Sequence, residues 1–529
     1  MNSPHRQAGH IFPEPGKLPF LKSVHLHKGR LKQKQPVKAA ASRVQTDFAV
    51  VGGGIIGLCI AHAILQRDES ASVALIEKGG LCAGATGAGQ GYVWMGHRDP
   101  ASLLWSLAAR SKHLWQSLVS SDPAWRRAIE WQDIGSILLG RTQDEEAGLE
   151  ARQAMLEAVC VSATLLDGAQ LQRLEPSLAV PRGASGLLVA SDAQLNGRRA
   201  AETLLKACER LAGPCHRFQS LLQEPVTHVE LSDSDAQPQI VHTRSCRVEA
   251  RQGLVLAAGA WTGQLLDAAL SAPPTWAPLF RPRKGHLLEL QPPASMPPLQ
   301  HGLMEVSYTQ HYAQPSAAEA GHDDRAAAIR GDQLGVTFTA TPSASGSLLL
   351  GSSREFGGWD TSPCPNTVQA ILSHAEQYLP RLGRSPGMDA LHSAGSRSGL
   401  DPSEPRPDGS GLQEADEEGP LRRGGSAVQT AETLAEGLLA RVGLRPYVTG
   451  GVPLIGPLPG FPHVVVAAGH EGSGLTLGPA TAELVMRHIA AGKSERGPSE
   501  LCSGAAGLSS IDAAKFYPAQ AICSKATTL

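Results

Sequence analysis

Short, uninterrupted hydrophobic runs recur along this chain, and most of them are bounded by glycine-rich turns. Residues 48–51 and 73–76 are typical of strands that are buried on both faces. A run of glycines separates the first of these from an apolar helical stretch that ends at about Leu65. Further buried strands are predicted at 253–259 and 464–469. The pattern therefore predicts one α/β domain that is assembled from both ends of the chain.

The first strand and helix together imitate a membrane span, because residues 48–66 carry no formal charge over 19 positions. Three consecutive glycines inside this stretch, and the charged pair Glu77-Lys78 after the next strand, favour a strand, a tight turn and a buried helix. We therefore predict no integral membrane segment.

The middle of the chain has short strand candidates at 287–290, 335–338 and 347–350, separated by Pro- and Gly-rich breaks. An antiparallel sheet in an inserted domain is the arrangement that this pattern favours. Residues 384–430 hold 8 Gly, 5 Pro and 7 Ser without an aromatic residue, which predicts a disordered insertion. Residues 313–332 have the pattern of a shorter insertion.

Composition and charge limit the partners and the cellular location. The 529 residues have a formal net charge of −2, so no nucleic-acid partner is predicted. Residues 1–45 nevertheless sum to +8 and lack the apolar segment of a secretory signal. They predict a transit peptide for an organelle, the plastid before the mitochondrion; the alternative is a disordered basic tail.

The nine cysteines form no C-x-x-C pair, which favours free thiols in a reducing compartment, and no metal site is predicted.

The glycines after the first strand form the pattern Gly52-x-Gly54-x-x-Gly57, and Glu77 follows the second strand. In this context Gly52 allows a tight turn, Gly54 lets a pyrophosphate approach the backbone, and Gly57 lets helix and strand pack closely. The helix N-terminus offers N–H groups to phosphates, and Glu77 accepts hydrogen bonds from a ribose. The pattern predicts a dinucleotide site; the alternative is a glycine-rich turn without a ligand.

Two more glycine-rich segments extend this predicted site. Residues 84–91 read GATGAGQG and lie just beyond Glu77. Residues 469–476 read GHEGSGLT and stand between a predicted strand and an apolar helical run over 480–489. A helix N-terminus at that turn stabilises negative charge on a bound ring system. Glycine-rich segments at several places suggest a long cofactor that is bound along its whole length. FAD fits this description better than NAD.

Four segments together resemble the flavin-dependent oxidoreductases of the D-amino-acid oxidase, glycine oxidase and sarcosine oxidase family. They are residues 47–78, 254–261 (LVLAAGAW), 346–355 (GSLLLGSSRE) and 443–481. The resemblance implies an α/β plus α+β fold in which a Rossmann-like FAD-binding domain is interleaved with an antiparallel-sheet substrate domain. The implied boundaries are 46–130, 185–270 and 440–495 for the FAD-binding domain, 131–184 and 271–383 for the substrate domain, and 496–529 for a C-terminal tail.

The resemblance also implies a set of residues that contact non-covalently bound FAD. The first glycine turn and its acid meet the pyrophosphate and ribose, the second loop lines the pyrophosphate and flavin ring, and Val226 meets adenine through its backbone. The chain passes the cofactor again after the strand at 253–259 and at the last glycine turn. The implied contacts are Gly52, Gly54, Ile56, Gly57, Glu77, Lys78, Ala85, Thr86, Gln90, Gly91, Val226, Gly259, Trp261, His470, Gly472, Ser473, Gly474, Leu475 and Thr476.

Arg445 stands in a Gly-x-Arg-Pro segment and matches the family arginine that pairs with a substrate carboxylate, which a planar guanidinium suits. Arg354 and Tyr308 are implied as a second anion contact and an aromatic wall. The alternatives are a surface arginine at 445, a solvated loop charge at 354 and a core aromatic residue at 308. The sequence departs from glycine oxidases at Gly472, where they carry a second arginine. It has no Cys near Arg445 for a covalent flavin link.

The family chemistry implies FAD-dependent oxidation of a small amino acid or secondary amine. A hydride passes to flavin N5, the imine hydrolyses, and oxygen or an electron carrier reoxidises the flavin, oxygen giving peroxide. Three alternatives remain open. They are a dehydrogenase of the same fold with a non-oxygen acceptor, an enzyme that acts on a 2-hydroxy acid or glycerol phosphate, and a non-catalytic flavin-binding scaffold.

Overall fold

The computed structural model describes residues 42–234, 236–270, 275–311, 334–384, 431–435, 437–492 and 511–518. The insertion predicted at 384–430 lies outside the described residues apart from Arg384, and so does the one predicted at 313–332. Residues 1–41 of the predicted transit peptide also lie outside them. Its last residues, 42–45, begin the first strand, so the predicted segment overlaps the folded domain.

The secondary structure follows the hydrophobic pattern closely, with longer elements than the pattern alone marked. The helices are α1 (Ile55–Arg67), α2 (Leu104–Ser121), α3 (Pro123–Ala128), α4 (Gln143–Glu157), α5 (Gly168–Leu174), α6 (Gly197–Ala212), α7 (Thr262–Leu270), α8 (Pro365–Glu376) and α9 (Gly474–Gly492). The strands are β1 (Ser42–Val51), β2 (Val73–Ile76), β3 (Tyr92–Val93), β4 (Ser136–Gly140), β5 (Thr164–Leu166), β6 (Ser185–Val189), β7 (Ala193–Gln194), β8 (Phe218–Leu221), β9 (His228–Glu230), β10 (Gln239–His242), β11 (Cys246–Leu256), β12 (Phe280–Leu290), β13 (Gly302–Glu305), β14 (Gly335–Pro342), β15 (Leu348–Arg354), β16 (Ala431–Ala435), β17 (Leu438–Val448), β18 (Leu454–Leu458) and β19 (Phe461–Ala468).

The first sheet is the parallel centre of an α/β domain. Its strand order is β18-β19-β11-β1-β2-β8, and β10 and β9 extend it from β11. Strands β19, β11, β1, β2 and β8 run parallel, whereas β18 pairs antiparallel with β19. The apolar run of β1 is buried because helices α1, α2, α6 and α9 cover one face of the sheet and α7 the other. This is the α/β domain that the sequence predicted, with strands from both ends of the chain.

The second sheet has nine strands in the order β16-β17-β12-β15-β14-β13-β4-β6-β5. Every neighbouring pair is antiparallel except β13 and β4, which are parallel. The predicted middle strands correspond to parts of β12, β14 and β15, and β15 pairs antiparallel with both β12 and β14, as predicted. Helices α8 and α4 pack against this sheet. The α/β plus α+β fold class that the sequence predicted is confirmed.

Two strands lie in a different sheet from the one that the predicted boundaries imply. The boundaries put β6 and β17 in the FAD-binding domain, but both belong to the second sheet. Strand β17 pairs with β12 along its whole length, from Phe280 opposite Val448 to Leu290 opposite Leu438. The reason is that a strand satisfies its backbone hydrogen bonds equally well in either sheet, so its own sequence does not select the partner.

The predicted C-terminal tail contributes to the core of the first domain. Its described part, residues 511–518, includes Ile511 and Phe516, which are buried among the helices on one face of the first sheet.

Within the described ranges, no helix combines the length and hydrophobicity that are needed to cross a bilayer. The stretch over residues 48–66 is divided between β1, the glycine turn and α1.

The buried carboxylate of Asp192, which pairs with Lys112, joins the segment after the second glycine loop to the second sheet. The carboxylate of Asp192 accepts hydrogen bonds from the Met95 and Gly96 N–H groups, the Ser136 hydroxyl and the Lys112 ammonium, at 2.7–3.1 Å. Because every oxygen of this buried acid is bonded, the chain after the second loop is fixed against strand β4.

Candidate active site

The glycine turn between β1 and α1 has the geometry that its residue types predicted. Gly52 has φ +119°, which side-chain-bearing residues rarely adopt. A Cβ at Gly57 would lie 2.0 Å from the Gly52 carbonyl oxygen, so α1 reaches the turn only because residue 57 is glycine. In front of Gly54 a Cβ would meet only the Thr86 hydroxyl, at 3.3 Å. The turn therefore leaves an open cradle at the N-terminus of α1.

Glu77 lies directly beside this turn, as its place after the second strand predicted. Its two carboxylate oxygens accept hydrogen bonds from the N–H groups of Gly53 at 2.7 Å and Gly79 at 2.8 Å. The Lys78 ammonium lies 3.1 Å from the centre of the Trp261 ring. Burial lowers the pKa of Lys78 to about 8, although the charge of Glu77 opposes the shift. These contacts fix the charged groups at one end of the turn.

The second glycine loop joins the two sheets. The Thr86 hydroxyl accepts the N–H of Ile55 at 3.0 Å and so caps helix α1. The Gln90 side chain is buried and bonds to the hydroxyls of Thr339 and Thr341 on strand β14. The loop therefore contacts the first turn at one end and the second sheet at the other.

A cavity of about 620 Å³ runs from the glycine turn to the second sheet. It collects most of the residues that the sequence analysis proposed as FAD contacts. The proposed contacts that line it are Gly52, Gly54, Ile56, Glu77, Lys78, Ala85, Thr86, Gln90, Gly91, Val226, Gly259, Trp261, His470, Gly472, Gly474 and Leu475.

Three of the proposed FAD contacts do not line the cavity and have other roles in the structure. Gly57 packs against the turn from behind, as described above. The Ser473 hydroxyl accepts a hydrogen bond from Arg98 at 3.2 Å, and the Thr476 hydroxyl donates to the Tyr92 carbonyl at 3.1 Å. These two hydroxyls hold the last glycine turn against the segment that follows the second loop and are not part of the cavity wall.

Arg445 lies at the end of the cavity that is formed by the second sheet. Its guanidinium occupies the space that a side chain at residue 285 would take, since a Cβ at Gly285 would lie 2.5 Å from it. Its Nη1 donates to the Ser353 carbonyl at 2.9 Å. Two residues earlier on the same strand, Gly443 approaches Ala85 and Ala88 of the second loop. Strand β17 thus carries Arg445 to the cavity that the glycine turn opens.

Arg354 and Tyr308 lie one layer behind this wall. Arg354 is the last residue of β15 and is 5% exposed, which excludes the alternative of a solvated loop charge. Its guanidinium lies 4.5 Å from the centre of the Tyr308 ring. The Tyr308 hydroxyl bonds to the hydroxyl of Tyr92, which does line the cavity, at 2.7 Å. Both residues support the cavity wall in this structure.

The sequence analysis missed Glu471, which lines this end of the cavity, and Arg283, which lies beside Glu471. Arg283 is directly opposite Arg445 in the pairing of β12 with β17. Its Nη1 lies 3.6 Å from Oε1 of Glu471, which lines the cavity in the last glycine turn. Glu471 belongs to the predicted glycine-rich turn over 469–476, so its position near the site could have been inferred from the sequence. Arg283 is recognised only when the register of two distant strands is known.

Two histidines line the same region and are uncharged. Burial lowers the pKa of His470 to about 3, and its Nε2 bonds to the Thr481 hydroxyl at 2.9 Å. Burial, with the charges of Lys284 and Arg445, lowers the pKa of His286 to about 4. The Nε2 atom of His286 accepts the N–H of Cys364, so the ring proton sits on Nδ1. Positive charge here therefore comes from arginine.

Comparison with known proteins identifies the family. A family model described as DAO, FAD dependent oxidoreductase, matches residues 47–419 and 408–487. The chain therefore belongs to this family of FAD-dependent oxidoreductases, and the cofactor predicted from the sequence is confirmed as FAD. The residues present fit it, because the open cradle at Gly54, the acid at Glu77 and a long cavity are what a dinucleotide with a ring system requires.

Comparison with individual proteins supports the same family assignment. Glycine oxidase of Geobacillus kaustophilus is 28% identical over 224 residues, which are 41% of this chain and 56% of the relative. The bifunctional protein ThiO/ThiG of Trichormus variabilis is 25% identical over 355 residues, 64% of this chain and 48% of that protein. The chain thus spans about half the length of these curated relatives. The crystal structure of the Geobacillus kaustophilus glycine oxidase shares the fold, with a TM-score of 0.61, 21% identity, and coverage of 86% of this chain and 96% of that chain.

Proposed function

We propose that this chain catalyses the FAD-dependent oxidation of a small amino acid or secondary amine. The observation that carries the proposal is the position of the Arg445 guanidinium, which lies over Gly285 in the wall of the cavity that begins at the glycine turn. A substrate carboxylate at one end and a dinucleotide at the other therefore occupy one continuous space. Bound FAD supplies the electron acceptor for the oxidation.

In this proposal the first glycine turn holds the cofactor pyrophosphate through backbone N–H groups at the start of α1. Glu77 keeps its position through its two backbone hydrogen bonds, and each oxygen retains a lone pair that accepts a ribose hydroxyl. We propose that Val226 meets the adenine and that the last glycine turn, from His470 to Leu475, meets the flavin; Val226, His470 and Leu475 all line the cavity.

Arg445 binds and orients the substrate. One of its terminal nitrogens is bonded to the Ser353 carbonyl, which fixes the plane of the guanidinium and leaves the rest of the fork for a carboxylate. The neighbouring wall includes Leu287, Leu444 and Ala467, which exclude water from the space between carboxylate and cofactor. The neutral state of His286 and His470 at physiological pH keeps that space free of further positive charge.

The proposal is tested with the full chain loaded with FAD. Its visible spectrum is recorded without oxygen before and after addition of a pool of glycine, sarcosine, proline and D-amino acids. We expect the yellow colour to bleach, and division of the pool then gives the substrate. A matched pool of the N-acetylated compounds, whose nitrogen is an amide, is expected to leave the colour unchanged. A yellow protein that no amine bleaches contradicts the proposed substrate class.

We propose oxygen as the electron acceptor, because this is the acceptor of the oxidases that the chain resembles. The test is the yield of hydrogen peroxide per substrate oxidised under air. A yield near one supports an oxidase. Little peroxide together with rapid turnover on an artificial quinone indicates a dehydrogenase of the same fold.

Gly285→Ala tests the placement of Arg445 without removing it. The new Cβ would lie 2.5 Å from the guanidinium, which is the far end of a flexible side chain and moves aside at little cost in stability. We expect the KM for the amine to rise about tenfold, since a displaced fork loses roughly one charge-assisted hydrogen bond. FAD content and Tm are expected to stay at wild-type values. An unchanged KM would contradict this placement.

A further inference from the structure

An acidic side chain lies in the cavity wall close to Arg445. Among the described residues that line the cavity, the carboxylates are those of Glu77 and Glu471. Glu77 lies at the first glycine turn, where its two oxygens accept the N–H groups of Gly53 and Gly79. Glu471 belongs to the last glycine turn and lines the same wall as Arg445. The substrate end of the cavity therefore presents a negative group as well as a positive one.

The backbone holds Glu471 in an unusual conformation. Its φ is +46°, a value that residues with a side chain seldom adopt. Such residues cluster at functional sites, where the surrounding structure over-determines their conformation. The Oε2 atom of Glu471 accepts the N–H of the next residue, Gly472, which ties the carboxylate to the turn. The turn therefore gives this carboxylate a defined position.

Glu471 is ionised at neutral pH and retains acceptor capacity. Burial by itself would raise its pKa, but the charges of nearby arginines, with Arg445 foremost, hold the pKa below its ordinary value. Its Oε1 lies 3.6 Å from Nη1 of Arg283, which is an ion pair and too long for a hydrogen bond. A carboxylate offers about four lone-pair positions. Positions therefore remain for a donor that enters the cavity.

Arg445 and Glu471 lie close together without a direct contact. Arg445 donates to the Ser353 carbonyl and Glu471 pairs with Arg283. Within the part of the chain that the structure describes, no ion pair joins Arg445 to Glu471. Coulomb attraction falls with distance, so the effect of Arg445 on the pKa of Glu471 requires the two charges to be near each other. Opposite charges thus face one region of the cavity, and a zwitterionic amino acid matches this pattern.

We infer that Glu471 binds the amine nitrogen of the substrate while Arg445 binds its carboxylate. This inference rests on the proposed function and adds a specificity determinant to it, because such a site selects amino acids against 2-hydroxy acids of the same shape. A carboxylate accepts an N–H from an ammonium ion or from a neutral amine, so the contact persists when the amine loses a proton. A 2-hydroxy acid instead brings a net negative charge beside Glu471, with no cation of its own to offset it.

The test compares two ligands that differ at one group. 2-Aminoisobutyrate and 2-hydroxyisobutyrate carry an ammonium or a hydroxyl on the same carbon, and neither has a hydrogen there, so neither can be oxidised at that carbon. Their binding to the FAD-loaded full chain is measured by calorimetry at neutral pH and fixed ionic strength. We expect 2-aminoisobutyrate to bind at least about tenfold more tightly, the change expected when the donor is charged. The inference is overturned if it binds no more tightly than 2-hydroxyisobutyrate.

Glu471→Gln assigns the contact, because it removes the charge but keeps the size of the side chain and an oxygen for the Gly472 N–H. The preference for 2-aminoisobutyrate is expected to fall below about threefold, mainly through weaker binding of that ligand. The matched control is Glu355→Gln, since Glu355 follows β15, pairs with Lys284 through its backbone and lies outside the cavity wall. A preference that survives in Glu471→Gln, or that falls equally in Glu355→Gln, contradicts the assignment. The wild-type comparison decides the inference if Glu471→Gln does not load FAD.

These results are separable from a failure of the proposed function. A preference for 2-aminoisobutyrate that depends on Glu471, without bleaching by any amine, would retain the zwitterion site and reject amine oxidation. Bleaching by amines, together with equal affinities for the two isobutyrates, would retain amine oxidation and reject the role of Glu471.

Discussion

Replacing Gly57 by valine is expected to abolish both the stable fold and the binding of FAD. The Cβ would lie 2.0 Å from the carbonyl oxygen of Gly52, and this oxygen belongs to backbone that is itself held at φ +119°. Relief of the clash requires α1 to move away from β1, which opens the buried core beneath Leu58 and Ile60. The expected cost exceeds about 4 kcal/mol, the range of the most damaging single substitutions. Soluble yield, thermal unfolding and the visible spectrum measure it.

Gly148→Val is the matched control for this variant. It makes the same change inside helix α4, where a Cβ at residue 148 would have no neighbour within 4 Å. Its Tm and FAD content are expected to equal those of the wild type, because glycine and valine differ little in helix propensity. A Gly57→Val protein that is yellow and melts within a few degrees of the wild type would contradict the packing role of Gly57.

Arg445→Ala is expected to raise the KM for the amine substrate by about 10²- to 10³-fold while FAD stays bound. The reason is that truncation of one member of a desolvated charge pair costs about 2–5 kcal/mol. The cofactor is held mainly by the glycine turns of the first domain, so the visible spectrum is expected to be unchanged. Steady-state kinetics on the substrate found by the amine pool give the KM.

Arg441→Ala separates this effect from a general loss of charge on β17. Arg441 lies four residues earlier on the same strand and forms an ion pair with Glu289. Its removal is expected to leave the KM unchanged. Arg445→Lys, which keeps the charge but not the planar fork, is expected to fall between the wild type and Arg445→Ala. Wild-type KM in Arg445→Ala would reject the assignment of the substrate carboxylate to this residue.

The nucleotide unit was predictable from sequence because its determinants are local. The turn, the helix start and the acid at Glu77 follow one another within about 30 residues, and each glycine has a steric reason for its position. The predicted apolar helical run over 480–489 lies within α9. Family membership followed from the combination of such segments.

The substrate end was predictable only in part. Arg445 stood out by its Gly-x-Arg-Pro setting, but Gly285, which makes room for its guanidinium, lies 160 residues earlier. Arg354 was implied as a second anion contact, and its burial against Tyr308 needed the positions of β15 and of the segment after β13. Strands β6 and β17 were assigned to the first domain because the sequence of a single strand does not specify the sheet that it joins.

The sequence by itself determined that this chain has an α/β dinucleotide domain assembled from its two ends, that the cofactor is FAD, and that Arg445 is a candidate carboxylate ligand. The first of these conclusions depends on periodicity and on turns, which are set by backbone sterics among residues close in the chain. The FAD conclusion depends on the three glycine-rich segments and the family resemblance, and the role of Arg445 depends on that resemblance. The tertiary structure decided that Arg283 faces Arg445 and that Glu471 lies beside Arg283. Register between distant strands fixes these neighbours, and it is set by the packing of whole sheets rather than by any short segment.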